Sequence, residues 1–358
     1  MPSGGATAFA ALNARVRVMY STLFSAQQFS ELYEASDFNS LITSLKASDY
    51  GPYLEKTKEK DLTPRRAAYQ IRGRLTDSYS SIIHIAPEQA RIVLSQRYRY
   101  FEVDNLKAVL RGLFAGEPWE KIKFVLFPLG SDSHLPLQEM AEMGNIPAAI
   151  DLLKGSVYYR TLSYAMPRFS QEKNIFPLEV ALDLAYWRDL WKGVGGLTGQ
   201  DRIMGMRIIG SLIDTNNLMW AIRYKVYHQL SEEELINYTL PFGYHVSDKD
   251  IRSIASGADI VHIVKRIFPD LVDVENLLLD PHKGLPELEL QLKRQVVKHC
   301  YSAFISDPFN IGLPLAYLEL LEMEIQDLTV LMEAKSVKGL DLDFRDYLLL
   351  GQPVKAAA

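Results

Sequence analysis

The chain has little cysteine, no basic excess and no long apolar run. Among its 358 residues there is one cysteine, Cys300. That excludes an intramolecular disulfide and a cysteine-built metal cluster. Lysine and arginine number 39 against 44 aspartates and glutamates, a net charge of −5. Proteins that hold nucleic acid by its phosphates usually carry a basic surplus, so nucleic acid is not expected as a partner. The apolar runs Phe124–Gly130 and Ile311–Leu318 stop well short of the roughly 18 residues a membrane helix needs. Met1–Ala8 has no basic residue and no signal-like apolar core. The expectation is a soluble, cytoplasmic chain with no direct membrane span, held at a membrane only through another protein.

Catalytic signatures are missing too. There is no P-loop and no Gly-x-Ser-x-Gly elbow. The stretch Gly193-Val-Gly-Gly-Leu-Thr-Gly199 lacks the dinucleotide spacing and follows a helical stretch, so it reads as a helix break. The seven histidines contain no His-Glu-x-x-His and no i, i+4 pair. No catalytic residue, cofactor or metal is expected, and the chain is read as a non-enzyme.

What is present is helical patterning. Leu12, Val16, Met19 and Leu23 form one stripe, and Val103, Leu106, Val109, Leu110 and Leu113 form a second. Leu290, Val297, Tyr301 and Phe304 form part of a third. Steps of three, four and seven place such residues on one helix face. The fold class is all-α.

The punctuation repeats three times. Pro64 stands 38 residues before Glu102, Pro177 stands 37 before Asp214, and Pro286 stands 38 before Glu324. Each acid opens one string of acid, two residues, Asn or Asp, then Leu: Glu102 to Leu106, Asp214 to Leu218 and Glu324 to Leu328. Between proline and acid lies a second breaker: Pro87, Gly199 or Pro308. Each block predicts a helix, a break and a second helix. A smaller pattern also recurs at offsets 0, 3, 9, 12 and 16, beginning at Phe29, Leu137 and Ile251. It predicts two short helices, joined at Ser36-Asp37, Gly144-Asn145 and Gly257-Ala258-Asp259. The third long string has no small-helix pattern after it, and the spare copy lies at the N-terminus. A closed ring of three similar helical units accounts for this, because an open array would leave two bare faces. The expected units are 64–176, 177–285, and 286–358 completed by 1–63, so both termini share the third.

Leu12-Asn-Ala-Arg-Val-Arg-Val18, Ala47-Ser-Asp-Tyr-Gly-Pro-Tyr-Leu54, Asp307-Pro-Phe-Asn-Ile-Gly-Leu-Pro-Leu-Ala-Tyr317 and Glu322-Met-Glu-Ile-Gln-Asp-Leu328 follow one another in a familiar order. Together they resemble the C subunit of A-type and V-type rotary ATPases, whose eukaryotic relative is the d subunit. The resemblance covers essentially the whole chain. It implies a funnel of three helical domains with a polar central cavity. It also implies a rotor part of the central stalk, lying between the shaft subunits D and F and the membrane proteolipid ring, in proton or sodium transport. The family often has Lys-Glu before the last string and Asn-Leu-Arg at its end. Here Leu321-Glu322 and Asp327-Leu328-Thr329 stand instead, so no basic contact carries over at that position. The other reading is a static all-α protein–protein adaptor.

The partner-contact candidates follow. Glu102, Asp214 and Glu324 either line a socket around one axis or are surface acids near helix starts, paired to nearby bases such as Arg99. Arg111 and Arg223, nine residues after the first two acids, either line the cavity or cap helix C-termini. Arg15 and Arg17 either touch the proteolipid ring or lie on a solvated face. Residues 55–74 carry a net +4 and residues 317–346 a net −5. These regions either neutralise one another where the ring closes or face different partners.

Overall fold

The computed structural model describes residues 3–58, 61–130, 133–228, 230–337 and 344–350, and among them there are helices and no strand. The order begins with α1 (Ser3–Tyr20), α2 (Ala26–Tyr33), α3 (Phe38–Lys46) and α4 (Gly51–Leu54). Then come α5 (Pro64–Ile71), α6 (Gly73–Ile85), α7 (Glu88–Phe114) and the short α8 (Trp119–Ile122), α9 (Leu137–Glu142) and α10 (Ile146–Asp151). The middle of the chain forms α11 (Val157–Glu172), α12 (Phe176–Gly195), α13 (Gly199–Arg223), α14 (Glu232–Asn237), α15 (Asp248–Ala255) and α16 (Ile260–Ile267). The last part forms α17 (Val274–Leu279), α18 (Pro281–Ile305) and α19 (Gly312–Ser336).

The sequence punctuation accounts for most boundaries. Pro64 is the first residue of α5, and Thr63 caps it by accepting the Arg66 N–H. Pro87 precedes α7, and Gly199 opens α13 with φ +55°, a conformation that favours glycine. The expected small-helix joins are helix caps. Asp37 caps α3 through the Ser40 N–H, Asn145 caps α10 through the Ala148 N–H, and Asp259 caps α16 through the Val261 N–H. Two boundaries differ from expectation. The helix expected to begin at Pro286 begins at Pro281 and runs through Pro286. The helix expected from Pro64 is split in two at Arg72–Gly73. There Gly73 lies against the Tyr53 ring, and Arg72 donates to the Val125 and Leu126 carbonyls at 3.2 and 3.4 Å.

Three long helices, α7, α13 and α19, carry the repeated strings, and each supports a small-helix pair: α9 on α7, α15 on α13 and α3 on α19. The helix preceding each long one packs on that helix and also on another long helix. α12 lies on α7, α18 on α13, and α5 with α6 on α19. The core is centred on α19, which is buried almost all round from Gly312 to Leu328. The turns into the long helices expose Ile85, Ile203, Ile305 and Phe309. Asp201 accepts the Ile311 N–H at 2.6 Å, which brings the start of α13 to the start of α19. No helix among the described residues is long and apolar enough to cross a membrane.

Candidate functional site

The long helices meet around a polar cavity of about 130 Å³. That volume holds a few water molecules or the tip of one side chain and is too small for a drug-sized ligand. α7 contributes Arg97 and Tyr100, α13 contributes Leu212 and Asn216, and α19 contributes Glu319, Glu322 and Gln326. These positions lie five or two residues before the repeated acid, or two after it. At 100° per residue they stand nearly opposite the acid on each helix.

Arg97 joins α7 to α19 inside this cavity. Its Nε donates to Glu319 Oε1 at 2.6 Å, and its Nη2 donates to Glu322 Oε2 at 2.6 Å. One guanidinium thus serves two carboxylates, an arrangement suited to its rigid fork of donors. Burial and the neighbouring Glu319 push Glu322 up to about 7, against the pull of Arg97. On α18, Glu289 accepts from Lys293 at 3.0 Å and from Arg223 at 2.6 Å.

The sequence-derived candidates fall elsewhere. None of the three acids lines the cavity. Each instead ties its long helix to a segment packed on the outer side. Glu324, fully buried, accepts the Tyr50 hydroxyl at 2.7 Å, the Phe24 N–H at 2.6 Å and Arg74 Nη1 at 3.1 Å. Burial pushes its carboxyl up while Arg74 opposes the rise. Asp214, also buried, accepts the N–H groups of Tyr244 (2.9 Å), His245 (2.7 Å) and Val246 (3.0 Å). Burial raises it to about 6 despite those bonds. The 243–246 segment can lie this close because Gly243 has no side chain, since a Cβ there would stand 2.0 Å from Asp214 Oδ1. Glu102 is half-buried, sits in mid-helix, and accepts the Tyr158 hydroxyl rather than pairing with Arg99. Asp214 and Glu324 are thus buried acids rather than surface ones, and Glu102 is bonded to Tyr158 rather than to Arg99.

Arg111 and Arg223 stand in the last turns of α7 and α13, where the helix-end reading put them, and each also makes an ion pair. Arg111 of α7 pairs with Glu179 of α12, and Arg223 of α13 pairs with Glu289 of α18. They bridge each long helix to the helix packed on it, and neither lines the cavity. Arg15 and Arg17 lie exposed on α1 and form no ion pair among the described residues. The basic and acidic regions do meet, since α5 and α6 pack on α19 and Arg74 reaches Glu324. Glu59, Lys60, Lys338, Asp341 and Asp343 of those regions lie outside the described residues.

Asn105, Asn217 and Asp327 mark the repeat in the sequence, yet nothing there assigns them a role. Each is buried and clamps a backbone segment 22 or 23 residues later. Asn105 donates to the Phe127 carbonyl at 2.9 Å and accepts its N–H at 2.6 Å. Asn217 donates to the Leu240 carbonyl at 2.9 Å and accepts its N–H at 2.8 Å. Asp327, which has only acceptors, takes the N–H groups of Leu349 and Leu350 at 2.8 and 2.7 Å. The signal was the near-constant distance, 22 or 23 residues, from each clamp to Phe127-Pro128, Leu240-Pro241 and Leu349-Leu350.

Comparison with known proteins agrees with the family resemblance read from the sequence. The chain is 25% identical to the C subunit of the A-type ATP synthase of Methanocaldococcus jannaschii over 331 residues, covering 91% of this chain and 82% of the relative. It is 23% identical to the A-type ATP synthase C subunit of Methanococcoides burtonii over 336 residues, covering 93% and 92%. The corresponding protein of Methanobrevibacter smithii is 23% identical over 332 residues, covering 91% and 84%. The family model of the ATP synthase (C/AC39) subunit matches residues 12–339, and the chain belongs to that family.

Proposed function

We propose that this chain is a non-catalytic rotor subunit of an A-type or V-type ATPase, joining the central shaft, subunits D and F, to the membrane proteolipid ring. It would carry torque for proton or sodium transport coupled to ATP hydrolysis or synthesis. The proposed units are 64–176, 177–285, and 286–358 with 1–63, closed into a funnel with both termini in the third.

The observation that carries this reading is the cyclic order of helix packing, with α12 on α7, α18 on α13, and α5 and α6 on α19. Each contact has its own ion pair: Arg111–Glu179, Arg223–Glu289 and Arg74–Glu324. A load applied at one long helix is then shared by three contacts, which suits a torque-bearing part better than a single bond. The exposed Ile203, Ile305 and Phe309 at the turns offer apolar surface for a partner at one pole.

The test is a pull-down with the full chain as bait, once against the purified shaft pair and once against the detergent-solubilised proteolipid ring. Capture of both is expected. Capture of neither overturns the reading. Stable binding to other soluble proteins, with no co-purification with a membrane ATPase, would favour the static adaptor.

A further inference from the structure

A groove of about 940 Å³ runs between α11 and α12, away from the central cavity. One wall is Arg160, Tyr164 and Arg168, at steps of four along a single face of α11. The floor includes three short side chains, Ala165 from α11 and Ala181 and Ala185 from α12. They leave the depth that longer side chains would fill. Tyr238 closes one end, with the Arg168 guanidinium 5.0 Å from its ring centre. Tyr164 stands 89% exposed beside this apolar floor, an unusual place for a large ring.

The charges at the groove are unevenly answered. Arg168 is held by Glu172 at 2.8 Å and Glu234 at 3.5 Å. Arg160 and Arg188, at the opposite end, are exposed and form no ion pair among the described residues. A smaller cleft continues past Thr161 and Ala185 and adds Arg99, also without an ion pair among the described residues. Asp189 is the one acid lining that cleft. On a chain of net charge −5, this mouth is locally cationic.

We propose that the α11–α12 groove is a docking site for an acidic amphipathic helix of another protein. Its apolar stripe would lie on the alanine floor and its carboxylates would reach Arg160 and Arg188. The eight-residue step from Arg160 to Arg168 spans about 12 Å, or about two helical turns, so a helix laid there completes a three-helix layer. Arginine suits the rim because its planar fork meets a carboxylate with two bonds. Charge of one sign at the mouth selects against basic helices and speeds the approach of acidic ones.

The test uses the full chain and two fluorescein-labelled synthetic helices with the same Leu/Ala stripe, one flanked by glutamate and one by lysine. Fluorescence anisotropy should show binding of the glutamate peptide and none of the lysine peptide. The double variant Arg160→Glu/Arg188→Glu should weaken binding about tenfold or more, the worth of a charge-assisted hydrogen bond. Ala181→Trp, which fills the floor, should abolish it. Both arginines are exposed, so the double variant should keep the wild-type circular dichroism spectrum. Equal binding of the two peptides, no binding of either, or indifference to the double variant overturns the proposal. So does binding to phosphatidylglycerol vesicles, or self-association in sedimentation, that the double variant abolishes while peptide binding is absent.

Discussion

Asp214 on α13 and Glu324 on α19 occupy equivalent places in the repeat, yet their surroundings differ in kind. Asp214 is held by three backbone N–H groups from a segment about 30 residues further on. Glu324 is held by groups 250 to 300 residues away: the Arg74 guanidinium, the Tyr50 hydroxyl and the Phe24 N–H. In mid-chain the acid stitches one helix to its own following loop. At the chain ends it stitches α19 to the N-terminal part, where no covalent continuity helps. The longer glutamate and a buried cation go together there, because a seam between distant segments needs its own attraction. Glu102 stands between these cases, with a single tyrosine donor. Tyr50 and Tyr158 each stand five residues after the last member of the small-helix pattern, Leu45 and Leu153. Val272 holds the third such place, and Asp214 is met instead by the backbone N–H groups of Tyr244, His245 and Val246.

The most damaging way to break this comparison is Arg74→Ala. It leaves Glu324 buried without its cation, and removing one partner of a buried pair costs about 3–5 kcal/mol. Urea unfolding should show that loss, and the double variant Arg74→Met/Glu324→Leu should lose less than the single. A single-variant cost below about 1 kcal/mol would show that the seam is held by apolar packing instead.

A smaller effect distinguishes Asp214 through pH. Its folded value is raised from 3.8 to about 6. Between those values the folded chain holds the proton more than the unfolded chain does. The Asp214 contribution is therefore greatest below about pH 4 and falls as pH rises through 6, by at most about 3 kcal/mol. Asp214→Asn removes that dependence. The difference in unfolding free energy, wild type minus variant, should decline from pH 4 to pH 6 and then level off. A flat difference would mean that the three N–H bonds hold the carboxylate charged throughout.

The smallest expected effect is at Glu102. Tyr158→Phe deletes one hydroxyl donor to a half-buried carboxylate, about 1 kcal/mol. Tyr50→Phe should cost more, because Glu324 is sealed from water and Glu102 is not. Thermal melts of the two variants side by side rank them, and equal losses would erase the distinction.

Much of this was legible in the sequence. The joins at Asp37, Asn145 and Asp259 were marked by turn residues, and those residues are caps. The three strings did mark equivalent helices, α7, α13 and α19. Other details were not legible. The α18 stripe was placed on Leu290, Val297, Tyr301 and Phe304. Val297 is buried and Leu290 and Phe304 pack against the core, but Tyr301 is exposed and the buried line also runs through Leu288, Leu292, Val296 and Cys300. That helix packs on α13, α17 and α19, so its apolar band is wide and its period ambiguous. One of the two readings of the string acids placed them towards a central axis, whereas the small cavity between the long helices lies on another face. Identity and spacing place residues on a common face without saying which neighbour that face meets.

The sequence by itself determined the helical class, the punctuation and the three-fold recurrence. These arise from interactions over a turn or two: apolar periodicity, side-chain caps and proline's missing N–H. The tertiary structure alone decided that Arg97 serves two carboxylates at the centre, that Arg74 crosses to Glu324, and that Asn105, Asn217 and Asp327 clamp distant loops. A buried charge or amide must find its partner wherever packing delivers one, and α19, buried almost all round, is surrounded by segments from both ends of the chain and from its middle.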